Sequence, residues 1–346
     1  MLLENSYSHY SKNKEKMSLH KKKLFADFES NHIMMIFPYM HRNKSYYEEL
    51  CNIYLSLNKI FLESNIKQTI VFSKNHKSAV PITFDHSSVT KLYYDCNDIW
   101  VRDYMPKIYL CGDTKKMIRY NFNAYGEKYS YIADNNFKNI INYSSSEINL
   151  GGFVLEGGNL EFSESGVIIT NIACIKKNNI KNTIDIEREL DKMSTQLQVS
   201  ELFTIDLPEI IGDDTNGHID NYIRFIQNDT IVYFASKDKS YCNYDVARKL
   251  EKQIEVVLNS STLIKRAIPI YHSKIDELVI NKKIHPYSKL NFITAKDLFI
   301  FPCIYKNKDS VELDIESLDL KSKVYIINSE ASLIEYGGLH CLSANI

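Results

Sequence analysis

The chain reads as an α/β protein, and three observations point there. Ile33-Met-Met-Ile-Phe37 is a short apolar run of the kind a buried strand carries, closed by Pro38. Residues 46–64 then place Leu50, Ile53, Tyr54, Leu57, Ile60 and Phe61 at helical spacing, and Thr69-Ile-Val-Phe72 returns to a strand-like run. The same alternation recurs later, with strands expected over 167–170, 231–234 and 298–301 and a helix over 245–258.

A chain of 346 residues could hold two domains of roughly 150 residues each. With only 11 glycines and 7 prolines, however, no linker rich in Pro, Gly or Ser interrupts it, so residues 24–346 are read as a single domain. Residues 1–23 carry Lys12, Lys14, Lys16, Lys21, Lys22 and Lys23 with no apolar pattern, which reads as a flexible, solvated arm rather than a nucleic-acid or membrane anchor.

Composition excludes several classes. At 44% hydrophobic and 25% charged, the chain is neither disordered nor fibrous. Its 42 basic and 43 acidic residues create no overall field to attract nucleic acid or an anionic membrane. The longest apolar stretches, 33–40 and 298–305, fall far short of the roughly 20 residues of a membrane helix. The polar N-terminus lacks the apolar core of a signal peptide, so a cytoplasmic location is expected. Seven cysteines, at 51, 96, 111, 174, 242, 303 and 341, are odd in number and never closer than fifteen residues, which disfavours a disulfide framework and a CxxC zinc site. No HExxH or EF-hand spacing and no GxGxxG or GxxxxGK[ST] loop occurs, so neither a metal nor a nucleotide cofactor is expected.

Four polar clusters, three of them containing glycine, carry the chemistry. Gly217-His-Ile-Asp220, read as a strand, would put His218, Asp220 and Tyr222 on one face, pairing a group that titrates near neutrality with a fixed negative charge. Asn97-Asp-Ile-Trp-Val-Arg-Asp103 brackets the only tryptophan with carboxylates, a setting suited to a guanidinium or ammonium ion. In a strand, Asp98 and Asp103 would face opposite ways. Leu155-Glu-Gly-Gly-Asn159 sets Glu156 before two glycines that permit a sharp turn or close approach. In Gly337-Gly-Leu-His-Cys341, His340 and Cys341 would point to opposite sides of a strand, so a nucleophilic Cys341 needs its partner elsewhere, and His218 is the candidate. Each cluster alone also reads as an ordinary turn, ion pair or buried cysteine. With Asn291 counted, the clusters recur at intervals near one fifth of the chain, a hint of repeated units.

Taken together, these motifs and Asn121-Phe-Asn-Ala-Tyr-Gly126 resemble the agmatine deiminases, of the guanidine-modifying superfamily that includes bacterial-type peptidylarginine deiminases. The resemblance runs from about Phe25 to the C-terminus. It implies a pentein α/β propeller: five ββαβ-type units with pseudo-fivefold symmetry around a central site. By motif, it implies Cys341 as nucleophile, His218 as general acid/base and Glu156 as a further catalytic acid. Asp103 and Asp220 would grip the guanidinium, Trp100 would form part of the pocket wall, and Asp98 and Asn291 would act as support. No cofactor is implied; the partner is a small cationic guanidine, and a homo-oligomer is compatible.

The chemistry is consistent with that assignment, because a resonance-stabilised guanidinium needs carboxylates to hold it and a soft nucleophile above its carbon. The expected activity is hydrolysis of agmatine to N-carbamoylputrescine and ammonia, in a polyamine (putrescine) pathway. Alternatives are deimination of arginine or peptidyl-arginine, for which Arg119 or Arg224 could bind a carboxylate, and amidino transfer to an amine. A guanidinium-binding protein without turnover would have no use for the thiol, and a papain-like protease would have none for the extra carboxylates. Tyr104, Met105 and Asn159-Leu-Glu161 depart from the family pattern and are expected to reshape the outer pocket.

Overall fold

The computed structural model describes residues 21–39, 44–75, 81–141, 148–181 and 184–346. Within them one pattern appears five times: an antiparallel pair of strands, a helical crossover, and a third strand parallel to the second. The first unit is Lys107–Cys111, Thr114–Asn121 and Ile148–Val154, and the second Glu161–Phe162, Val167–Asn171 and Glu201–Ile205. The third is Ile223–Gln227, Thr230–Ala235 and Arg266–Tyr271, and the fourth Ile293–Ala295, Leu298–Cys303 and Lys323–Asn328. The fifth draws on both ends of the chain. Ser343–Asn345 pairs antiparallel with His32–Ile36, which runs parallel to Lys67–Phe72, itself parallel to Val89–Tyr93. The α/β propeller expected from the resemblance is therefore present, and its last unit is assembled from both ends of the chain.

The expected elements form where their patterns lie. The helix Lys44–Glu63 turns Tyr54, Leu57 and Phe61 fully inward against Ile33, Met35, Ile70 and Phe72. Each such side chain contributes about 1.5–3 kcal/mol by leaving water. The helix stops where Asn65 adopts φ 56°, letting the Ile66 amide bond back to the Phe61 carbonyl. Tyr244–Ser260 likewise buries Ala247, Leu250, Ile254 and Val257. One boundary moves: Lys22–Leu24 pairs with Lys107–Cys111, so Lys22 and Lys23, assigned by sequence to the arm, belong to a sheet. The rest of the arm, residues 1–20, lies outside the described residues.

The repeat accounts for the spacing of the motifs. Each motif occupies the segment just before the first strand of a unit: Trp100–Asp103, Glu156–Asn159, His218–Asp220, Asn291 and Gly337–Cys341, in chain order. Five equivalent positions around one axis thus send residues from distant parts of the chain to a common centre.

Candidate active site

Asp103 lies in a single helical turn, Val101–Tyr104, not in a strand. That turn aims the carboxylate inward, where its Oδ2 accepts from the Tyr125 hydroxyl at 2.8 Å and its Oδ1 from the Gly158 amide at 3.1 Å. His218 and Asp220 were also expected on a strand. They flank the first residue of a 3-10 turn, Ile219–Asn221, and the strand begins only at Ile223. The tighter turn still brings both side chains to the site, whereas Tyr222 leaves it for the core, where its hydroxyl donates to the Pro208 carbonyl.

His218 is the hub. It is fully buried, with Nε2 2.7 Å from Glu156 Oε2 and Nδ1 3.4 Å from Asp103 Oδ1. Gly158 explains how these groups come so close: a Cβ there would sit 2.7 Å from both Asp103 Oδ1 and His218 Nδ1 and 3.1 Å from Asp220 Oδ2. Only glycine lets the three side chains converge over the backbone. Trp100 is seated the same way, its ring against Gly337, where a Cβ would lie 2.3 Å from Cζ3.

Electrostatics follows from burial. It pushes the Asp103 and Glu156 carboxyls up, partly offset by His218. Burial, with Asp103 nearby, raises Asp220 to about 7. For His218 burial acts downward, but Asp103 and hydrogen bonds with Cys174 and Glu156 outweigh it and hold the imidazole well above its usual value. The Cys341 thiol is held well above the usual range by burial and then by Asp220 and Asp103, against a lowering by His218. Its Sγ lies 3.6 Å from Asn291 Oδ1. Asp220 Oδ1 is a buried acceptor without a hydrogen-bond partner among the described residues. Negative charge and unfilled acceptor capacity beside a suppressed thiol form a site that a cationic donor would complete.

Several residues that complete the constellation had no role in the sequence reading. Tyr125 links two carboxylates, donating its amide to Glu156 Oε1 and its hydroxyl to Asp103. It does so from a run of positive φ, Ala124 to Glu127, whose non-glycine members each cost about 1–3 kcal/mol. The Asn121–Gly126 string was the available signal. Cys174 and Asn178 back Glu156, with Asn178 Nδ2 2.5 Å from Oε2. His340, which the sequence reading excluded as the hydrogen-bonded partner of Cys341, bonds Asp220. Conversely, Tyr104 and Met105 do not line an outer pocket. Both are buried in the core, Tyr104 donating to the Asp98 carbonyl and packing on Phe122 and Phe137. Asn159 and Glu161 are interior as well, holding Asn171, Ile219 and Arg224.

Among the described residues two groups gather metal-ligand types, Glu156/Cys174/His218 and Asp27/Glu161/His340, each with ligand atoms within 4.8 Å of one another. Around the second, Arg102, Lys107 and Arg224 already face the carboxylates, and a further cation would meet their repulsion. The first offers ligand types that zinc accepts, but its Glu156 oxygen is already shared by His218 and Asn178.

The family described as Porphyromonas-type peptidyl-arginine deiminase matches the chain over residues 24–346. An agmatine deiminase of Pseudomonas fluorescens is 23% identical over 302 residues, covering 80% of this chain and 81% of that protein. A C. jejuni agmatine deiminase with substrate bound superposes with a TM-score of 0.83 at 20% identity, over 96% of this chain and 98% of its own. An Enterococcus faecalis agmatine deiminase gives 0.79 at 18% identity, over 93% and 95%. At these identities the two structures establish the shared pentein fold.

Proposed function

Because the chain belongs to the Porphyromonas-type peptidyl-arginine deiminase family, whose named relatives are deiminases, hydrolases of C–N bonds, we propose that it hydrolyses the guanidinium of agmatine to N-carbamoylputrescine and ammonia. The observation that carries this reading is the convergence of Asp103, His218 and Asp220 over Gly158, with the unfilled acceptor of Asp220 and the suppressed thiol of Cys341 beside them.

In this reading Asp103 and Asp220 grip the guanidinium and Trp100 walls the pocket. The bound cation offsets the two carboxylates that, after burial, hold the thiol up, so substrate itself favours the thiolate. The thiolate adds to the guanidinium carbon, forming a C–S bond. His218, resting protonated between Glu156 and Asp103, gives its proton to the departing nitrogen, and ammonia leaves as the C–N bond breaks. The amidino-thioether that remains is attacked by water, whose proton returns to His218, and the C–S bond breaks to give the ureido product and the free thiol. Glu156 keeps the imidazole oriented in both halves and shares its positive charge.

Agmatine is favoured over arginine by the placement of the two candidate carboxylate binders. Arg224 is fully buried, with Nε on Glu161 and Nη1 on the Leu290 and Phe292 carbonyls, while Arg119 reaches Asn139 at the surface. The test is ammonia and ureido product from agmatine, arginine, a peptidyl-arginine and shorter guanidines, with Cys341→Ala as control. The highest kcat/KM on agmatine and background rates for Cys341→Ala are expected. Turnover that survives Cys341→Ala would overturn the mechanism, and a preference for arginine would overturn the substrate.

A further inference from the structure

Beneath Asp220, on the side away from its unfilled oxygen, runs a buried chain of three titratable groups. Asp220 Oδ2 lies 2.7 Å from His340 Nδ1, and His340 Nε2 lies 2.9 Å from Asp27 Oδ2. His340 and Asp220 are fully buried, and Asp27 is nearly so. Asp27 comes from a 3-10 turn, Asp27–Glu29, far in sequence from every motif, and stands among cations contributed by other units: Arg102 Nη1 at 3.0 Å, and Lys107 and Arg224 each at 3.7 Å. The charged groups that face His340 are Asp27, Asp220, Glu161, Arg102 and Arg224, with its amide fixed on Asn291.

Two short N···O contacts between one imidazole and two carboxyl groups need a proton in each, so the three groups hold two protons between them. With Asp27 held ionised by Arg102 and Lys107, two arrangements satisfy this. In one, Asp220 carries a proton on Oδ2 and donates it to Nδ1 of a neutral His340, whose Nε2–H faces ionised Asp27. In the other, that proton has moved to Nδ1, leaving an imidazolium between two carboxylates. Burial and then Arg102 and Arg224 hold His340 well below its usual value, and burial and Asp103 hold Asp220 up at about 7, so the empty site favours the first. A guanidinium on Asp220 Oδ1 favours the second, because it needs the ionised carboxylate.

We infer that Asp27, His340 and Asp220 form an internal proton relay, in which His340 is a positioning residue that takes the Asp220 proton as the substrate binds. No bond other than O–H breaks and none but N–H forms. The site thus acquires its negative charge without releasing a proton to solvent. The inference rests on the guanidine-site reading above.

The experiment is calorimetric titration of agmatine into the Cys341→Ala protein at pH 6 in buffers of different ionisation enthalpy, with and without His340→Gln. Removing the thiol takes its ionisation out of the count. The relay predicts little proton release with His340 present and about one more proton released without it, since Asp220 must then discharge to solvent. Equal release from both proteins would overturn the relay alone. Absence of binding by the Cys341→Ala protein would overturn the guanidine reading, and the relay with it. If the double variant does not fold, ¹⁵N NMR of His340 in the Cys341→Ala protein decides. Conversion from neutral imidazole to imidazolium on adding agmatine is expected, and an unchanged protonation state would overturn the relay.

Discussion

Cys341 sits at the end of a Gly-Gly string that is recognisable in sequence, but its reactivity is a matter of surroundings. Burial, then Asp220, then Asp103 hold the thiol up. Neutralising Asp220 removes one of those influences, so at pH 8.5 the thiolate fraction of an Asp220→Asn protein should rise. Alkylation of the Cys341 peptide by iodoacetamide, followed by mass spectrometry, should therefore be faster in the variant even though turnover is lost; a slower rate would mean that Asp220 does not suppress the thiol. Gly158 makes the complementary point. An added methyl meets Asp103 Oδ1 and His218 Nδ1 at 2.7 Å and would displace both side chains. Gly158→Ala is expected to lower kcat about 10²-fold with the melting profile retained, as misplacement near 1 Å does in oriented sites. Wild-type kcat in that variant would show that the contact is not needed.

At the scale of elements, short turns rather than strands carry the functional groups. Asp103 and Asp220 reach the centre from helical and 3-10 turns that precede strands, and buried Asn159 and Asn171 hold the second of these turns in place. Asn171, at the end of the second unit's middle strand, accepts from the Ala173 and Leu207 amides and donates to the Leu207 and Gly217 carbonyls. It thereby ties the His218 segment to a strand of another unit. Asn171→Ala leaves these backbone groups unpaired at roughly 1–3 kcal/mol each, so denaturant unfolding should show a loss of about 3 kcal/mol or more. A loss under about 1 kcal/mol would mean that the backbone re-pairs without it. The alternating pattern of a strand and the pattern of a short polar turn before a strand are alike over three residues, which is why the sequence paired His218 with Asp220 but set them on the wrong element.

Over the whole molecule the ring depends on its two ends. Ser343–Asn345 registers Ser343 with Met35, Ala344 with Met34 and Asn345 with Ile33, and Ile346 bonds the His32 carbonyl. Cys341 lies only two residues before that strand. Deleting residues 343–346 removes the outer strand of the fifth unit together with the buried Ala344 and Ile346 side chains. Such a chain is expected to lose its cooperative thermal transition, whereas an intact transition with activity would show that the fifth unit closes without it. The hub around Asp27 belongs to this scale as well. Burial pushes its carboxyl up, but Arg102 and Lys107 outweigh that and hold it well below the usual range, drawing the units together around the axis.

From the chain alone came the α/β class, the principal strands and helices, and a set of catalytic candidates, Cys341, His218, Glu156, Asp103, Asp220 and Trp100, which the folded chain brings to one centre. These were legible because apolar periodicity and motif chemistry are local and survive in linear order. Asp27, Arg102, His340 and Cys174 were not. Their contacts reach across as many as 313 residues, as for His340 and Asp27, and no local pattern encodes such a pairing. The same holds for Tyr104 and Met105, whose bulk near a motif suggested a pocket wall. Which face of a turn meets solvent and which meets the core is decided by the packing of neighbouring units, and only the tertiary structure supplies those neighbours.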